Sequence, residues 1–539
     1  MGSILADLTL KQAIQQIALR TERVDYDSAV ASFYDCNIIS HLTNVNHQII
    51  QGRRGTGKTH ILYFLKNTLE NTGCHCIYFD CKSIGSIQSI SNHTLQENYR
   101  AIQLIRDFLF ALHSDLLKYY KDDIYDAGDN NEIESLLDHL FNECRSTGQI
   151  IEHYEKTNRN KEHALKSTID SLSFHLPNFL CEFQSKKERN LESDKNYKSK
   201  GIVYDEIIFP NVLSCLNRLA EITKKEYVIL IDEWSSLPLD VQPHFAEFLR
   251  HSFFASKSIT VKIAVVTGRT RYCLPDNIVT YGFEIGADIS VSMDLDNLYM
   301  FDKHPKKVFS DLFGILLKHL HSQNVVTNMD VSEFLAVLFQ DRKSSFLLVR
   351  ASEGNPRDFI SIIDRCIVEL DGIGNSDKWI DSQIVYNAAT KWYESDKKHK
   401  LTSLQGSLLS EIFAYIVDTK HTRGFVIEES YLSHIAFRSL IDARVLHIVQ
   451  TGLHFPQYSK YTMAILILDF GTYASYLIAK RDIHLFTSDL FEKEIFPYYD
   501  KSLPALQLFP FDTNRNFYFC LLEPELYNDI FPSFSKFTE

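Results

Sequence analysis

The sequence predicts an α/β protein: a parallel-sheet phosphate-loop nucleotide domain, a helical lid and a C-terminal winged-helix-like domain. Three observations predict it. The string "QGRRGTGKTH", Gln51 to His60, joins a short apolar run to an amphipathic helix. Two later apolar runs, "EYVILIDEW" and "TVKIAVVTG", end in polar residues, as buried parallel strands do. Beyond residue 300 the apolar spacing becomes helical.

Composition bounds the rest. The chain has 539 residues, 45% of them hydrophobic and 23% charged, which allows several packed domains. Its 56 Lys and Arg face 69 Asp and Glu, for a net charge of −13. Proteins that coat nucleic acid carry a basic surplus, and none exists here overall. The ten Cys are scattered and suggest no disulfide framework. Cys74, Cys76 and Cys81 lack a fourth ligand and read as core thiols. The most apolar window, "YTMAILILDFGTYASYLIAK", carries Asp469 and is too polar for a membrane span. No secretory signal is read at the start, so the expectation is a cytoplasmic protein with no membrane partner.

The elements follow in order. Residues 1–45 read as a helical segment. A nucleotide core spans 46–300. It opens with the strand "HQIIQG", the Gly-rich loop, the helix "KTHILYFLKNTLENTG" and the strand "CHCIYFDC". "LQENYRAIQLIRDFLFALHSDLLKYY" is a long amphipathic helix. Residues 121–203 are polar and helical in pattern and read as a helical insertion, with "QSKKERNLESDKNYKSKG" as a mobile surface loop. The sheet resumes at residues 226–234, then "TVKIAVVTG" and "ADISVSMDL". Residues 301–400 form the helical lid. Residues 401–480 read as helices followed by paired strands, and 481–539 as an aromatic-rich extension read as core or docking surface.

Gly52-Arg53-Arg54-Gly55-Thr56-Gly57-Lys58-Thr59 satisfies G-x-x-x-x-G-K-[ST] between a strand and a helix. The glycines Gly52, Gly55 and Gly57 let the backbone curl so that its N–H groups, with those of Thr56 and the residues through His60, face phosphate. Lys58 is expected at the β- and γ-phosphates of ATP, and Thr59 on Mg²⁺. Arg53 and Arg54 fill unspecified positions and receive no role. Asp232, ending its strand, is expected to hold Mg²⁺ through water, and Glu233 to act as general base. Thr267, after the next strand, fits a residue that senses the γ-phosphate. Arg357, in "EGNPRDF", falls in the first turn of a lid helix and fits a cation leaning on the same phosphate.

GRRGTGKT, ILIDEW, VVTGR and GNPRDF, in that order, resemble AAA+ ATPases of the origin-recognition and helicase-loader type, most nearly a bacterial branch of them. The resemblance covers roughly residues 30–400, with weaker support to about 480. It implies a five-stranded core, a lid and a trailing winged helix. It also implies a homo-oligomer in which a neighbour supplies an arginine finger, with Arg250 the candidate and Arg269 and Arg271 next. Kinship with mobile-element and phage-defence proteins is a further implication. Over 401–480 six basic residues balance six acidic ones, which is no basic reading head. Two functions therefore stand side by side. One is an ATP-hydrolysing switch acting on DNA or a partner protein. The other is a slow-hydrolysing scaffold that controls a separate effector without touching DNA.

Overall fold

The computed structural model describes residues 8–17, 19–84, 97–121, 124, 132–143, 147–152, 187–193, 197–205, 207–274, 281–301, 304–326, 329–372, 379–419, 423–454, 460–479, 519–522 and 527–537. They divide into two compact units. The sheet unit comprises Ile38–Gln51 and Leu65–Met293; the loop–lid unit comprises Met1–Asn37, Gly52–Phe64 and Asp294–Glu539.

The sheet unit is built on five strands: β1 (Gln48–Gln51), β2 (His75–Asp80), β6 (Tyr227–Asp232), β7 (Ile259–Val265) and β8 (Ser290–Asp294). Their order is β8-β1-β7-β6-β2. β1, β7, β6 and β2 pair in parallel. Every residue of β6 is buried, as a central parallel strand requires. The helices Glu97–Tyr119, Phe209–Thr223 and Gln242–Ser252 lay apolar faces into this unit's core. Phe108, Phe245, Phe248 and Phe253 make edge-on ring contacts there. Cys76 is 1% exposed, consistent with a core thiol.

The segment read as a helical insertion differs from that reading. Its described residues include the helix Glu132–Glu143 and an antiparallel sheet of β3 (Thr147–Glu152), β4 (Lys187–Ser193) and β5 (Tyr197–Asp205) in the order β3-β5-β4. β4 and β5 form a hairpin in register from Lys187↔Val203 to Ser193↔Tyr197, where a mobile loop was expected. The charged residues alternate with few apolar ones, so the strand period is hidden. Residues 153–186, also read as part of the insertion, lie outside the described residues.

The loop–lid unit contains the lid helices Pro305–Ser322, Val331–Leu338, Arg342–Ala351, Pro356–Gly372 and Ser382–Trp392. Asp330, Asp341 and Asp381 cap three of them by accepting from Glu333 N, Ser344 N and Ile384 N. A second set follows: the helix Ser403–Phe413, β9 (Gly424–Glu428), the helix Ile435–Asp442, β10 (Leu446–Leu453), β11 (Met463–Leu468) and the helix Phe470–Ala479. β12 (Phe519–Leu521) pairs in parallel with β9 and completes a sheet ordered β10-β11-β9-β12. The described part of the aromatic extension is core: Tyr527, Phe531 and Phe534 are buried, and Phe534 stacks on His434 at 4.5 Å. Residues 481–518, 523–526 and 538–539 of that extension lie outside the described residues. One apolar cluster runs from Leu10 through the lid to Phe534.

Candidate functional site

The candidate residues fall in two halves, one in each unit. The first is the loop itself. Gly55 and Gly57 sit at φ 95° and 89°, a region open to glycine and strained for any residue with a Cβ. At Gly55 a Cβ would also lie 2.6 Å from Asn355 Oδ1 and 2.9 Å from Arg357 Cβ. The "EGNPRDF" segment therefore closes on the loop. Asn355 Nδ2 donates to the Arg54 carbonyl at 2.8 Å, and Arg357 N donates to the Gly55 carbonyl at 3.3 Å. Thr56 is buried and its hydroxyl donates to the Arg53 carbonyl at 2.9 Å. Lys58 begins the helix Lys58–Asn71, and its ammonium donates to the carbonyls of Gly52 and Arg53 at 2.7 and 2.9 Å. Thr59 follows in the first turn of that helix.

Arg357 is brought to the loop by its backbone, while its Nε donates to the Leu19 carbonyl at 3.2 Å. Burial, with Arg444 nearby, lowers the pKa of its guanidinium from the usual value. His60 packs as a scaffold ring. Its Nε2 lies 2.6 Å from the Ala29 carbonyl oxygen, and it meets Phe33 edge-on at 5.1 Å.

The second half lies at the C-terminal ends of the parallel strands. Asp232 is the last residue of β6 and 2% exposed. One carboxylate oxygen accepts from Tyr78 Oη at 2.9 Å, the other from Glu233 N at 2.7 Å. Glu233 adopts φ 53°, a left-handed conformation rare for a residue with a side chain. Such strain concentrates where function demands a particular side-chain direction. Its Oε1 pairs with Lys82 Nζ at 2.6 Å, and its Oε2 accepts from Ser236 Oγ at 3.2 Å. β7 lies between β1 and β6, and Thr267 stands in the turn just past it. Val266 N donates to Ser235 Oγ at 2.7 Å, which ties that turn to the exit of β6.

Arg250 belongs to a different neighbourhood. Its Nη1 donates to the Gly282 carbonyl at 3.2 Å and its Nε lies 3.4 Å from Asp288 Oδ2, with 34% of the side chain exposed. Arg271 is exposed and Arg269 half-buried. Both have backbone groups held by the buried Gln242, which accepts from Arg271 N at 2.7 Å and donates to the Arg269 carbonyl at 3.3 Å. Sequence reasoning missed Tyr78, Lys82 and Arg53. The first two follow from strand order, which places β2 beside β6; Arg53 had no signal beyond its place in the loop.

A Gly-rich loop leaving one parallel strand, an acidic pair leaving another and a third strand between them define an AAA+ type of phosphate-loop fold. Residues 18–273 match the family model described as ORC-CDC6-like. No curated protein matches the chain. Among solved structures, the Cdc6p protein of Pyrobaculum aerophilum aligns with 12% identity and a TM-score of 0.29, covering 85% of this chain and 99% of that one. The Aeropyrum pernix ORC1 protein, solved in complex with DNA, aligns with 11% identity and a TM-score of 0.31, covering 88% and 96%. A RuvB variant from Thermotoga maritima gives 11% and 0.29, covering 84% and 94%. At such scores these likenesses add no argument about fold or activity.

Proposed function

We propose that the chain is an ATP-binding and ATP-hydrolysing AAA+ switch that assembles with copies of itself and acts on DNA or a partner protein. The observation that carries the reading is the pairing of two features: a phosphate loop with Lys58 at a helix start, and Asp232–Glu233 at the end of a parallel strand one strand removed. In this reading the loop N–H groups and Lys58 bind the phosphates, and Arg357 reports their presence to the lid. The Thr59 hydroxyl and Asp232 carboxylate are hard oxygen donors that fit Mg²⁺, which when bound would neutralise phosphate charge. Glu233 takes a proton from the attacking water, and Thr267 orients that water. Arg250 of a neighbouring copy would complete the charge stabilisation, leaving its Asp288 contact to do so. We read residues 403–479 as a winged-helix-like module for DNA or protein docking. No described helix is long and apolar enough to cross a membrane.

One observation favours the slower scaffold as a second reading. The Glu233 carboxylate is engaged by Lys82 at 2.6 Å, and a base in an ion pair is a poor proton acceptor. Turnover by the purified protein, with and without duplex DNA, separates the two. Glu233→Gln is expected to keep ATP affinity within about threefold and to lower turnover by roughly 10²-fold, the scale of losing a general base. Turnover that is absent, or indifferent to Glu233→Gln, would remove hydrolysis and leave nucleotide-gated docking. Arg250→Ala is expected to bind ATP normally and lose turnover only at concentrations where the wild type associates.

A further inference from the structure

Arg53 fills a position that the loop pattern leaves unspecified, yet it is 8% exposed and anchored at four points. Its backbone N–H and its Nε both donate to Asp296 Oδ1, at 2.8 and 3.0 Å. Its Nη2 donates to the Glu353 carbonyl at 3.0 Å. Its Nη1 lies 2.6 Å from His447 Nδ1, on β10. An arginine only donates, so Nδ1 is the acceptor and the ring proton sits on Nε2. That nitrogen lies 3.0 Å from Asp469 Oδ2, to which it donates.

The chain of contacts continues inward. Lys397 Nζ bridges Asp469 Oδ2 at 2.6 Å and Asp358 Oδ2 at 2.8 Å. Asp358 Oδ1 accepts from Arg444 Nη1 at 2.5 Å. His447, Asp469, Lys397 and Asp358 are each 2% exposed or less. Burial pushes the His447 imidazole down to about 4, and the Arg53 cation adds to the push. Burial also raises both carboxyls, but Arg444 and Lys397 at Asp358, and Lys397 and His447 at Asp469, outweigh it. The same segment contributes Glu353, which pairs with Arg423 at 3.0 Å. The loop, the "EGNPRDF" segment and the 403–479 module thus share one buried polar network, whose members lose more than a surface pair would if a partner is removed.

We propose that Arg53 is a positioning residue that couples the phosphate loop to the 403–479 module, so that nucleotide on the loop and closure of the module at His447–Asp469 favour each other. The proposal rests on the nucleotide reading. Its physical basis is that the loop binds phosphate only with its N–H groups curled inward, and Arg53 fixes the second residue of that curl. Loosening His447 leaves Nη1 with an unmet buried donor and relaxes the curl. By thermodynamic reciprocity, phosphate that fixes the curl must also favour the His447 contact.

The test is a cycle of Arg53→Met, His447→Leu and the double variant, titrated with a fluorescent ATP analogue, with amide exchange of residues 446–453 followed with and without ATP. Each single variant is expected to bind about tenfold more weakly, and the double no more weakly than either. Protection of 446–453 by ATP is expected in the wild type and absent in the variants. His447→Gln can still accept from Arg53 and donate to Asp469, and is expected to stay within about twofold of the wild type. A folded His447→Leu that binds ATP as the wild type does, or a strictly additive double, overturns the coupling. If His447→Leu does not fold, Arg53→Lys makes the same comparison, because lysine keeps the charge and cannot span Asp296, Glu353 and His447. A wild type that binds no ATP overturns the nucleotide reading first and the coupling with it.

Discussion

Glu233 pays for its left-handed backbone with about 1 kcal/mol, roughly the handedness penalty of one residue with a side chain. The conformation delivers its carboxylate to Lys82. Removing that cation by Lys82→Ala is expected to free the base and raise turnover several-fold; a turnover that falls would make Lys82 a contributor to the chemistry. The glycines at positive φ separate by what surrounds them. At Gly57 (φ 89°) a Cβ meets nothing within 4 Å, so Gly57→Ala is expected to cost about 1 kcal/mol of stability. At Gly354 (φ 73°) a Cβ would lie 1.6 Å from the Tyr299 carbonyl oxygen. Gly354→Ala must therefore shift backbone and is expected to cost roughly 3 kcal/mol or more. Denaturant midpoints of the two variants check the contrast, and equal losses would refute it. Gly57 and Lys58 were legible in the sequence because a loop motif is local. Arg53 was not, because its partner His447 is 394 positions away.

Among the elements, β7 carries the least expected residue. Lys262 is fully buried in the strand between β1 and β6. Its ammonium donates to the carbonyls of Asn44 and Asn46 at 2.8 and 2.9 Å and to the Gln48 side chain. It thereby fixes the approach to β1, the strand from which the phosphate loop leaves. Burial drives its pKa down to about 7. Lys262→Met keeps the stem and strips these acceptors of their donor, with an expected loss of about 1–3 kcal/mol in chemical unfolding; a neutral result would mean water replaces the ammonium. The strands β1, β2, β6, β7 and β8 could be read from sequence because their apolar runs are short and bounded by polar residues. The hairpin of β4 and β5 could not: Lys187–Ser193 holds Leu191 as its one apolar residue, so no apolar alternation marks it as a strand. Nor could Lys82 at Glu233, since it depends on which strand neighbours β6.

At the scale of the molecule, the buried network makes stability depend on acidity. His447 titrates near 6.5 when unfolded and about 4 when folded. The folded chain binds fewer protons between those values, so stability rises with pH through that window and is lost as pH falls through it. From pH 7 to pH 5 the loss from this group is about 2 kcal/mol. His319 shifts in the same direction, chiefly through burial. Asp358 and Asp469, held below the carboxylate range, add losses only at lower pH. Unfolding midpoints at pH 7 and 5 check this, and His447→Gln is expected to flatten the slope. The loop–lid unit that holds the network is drawn from three separated stretches, with Leu10 and Phe534 in one apolar cluster. The sheet unit, by contrast, is complete at Met293. During translation the sheet can settle while the ribosome is still working, since chains fold their earlier units first. The phosphate loop cannot finish with it: its clamp awaits residue 447, and the core around that residue's module awaits Tyr527 to Phe534. A loop translated early is thus matured by residues translated long after it, and a nascent chain carries the motif long before it carries a formed loop.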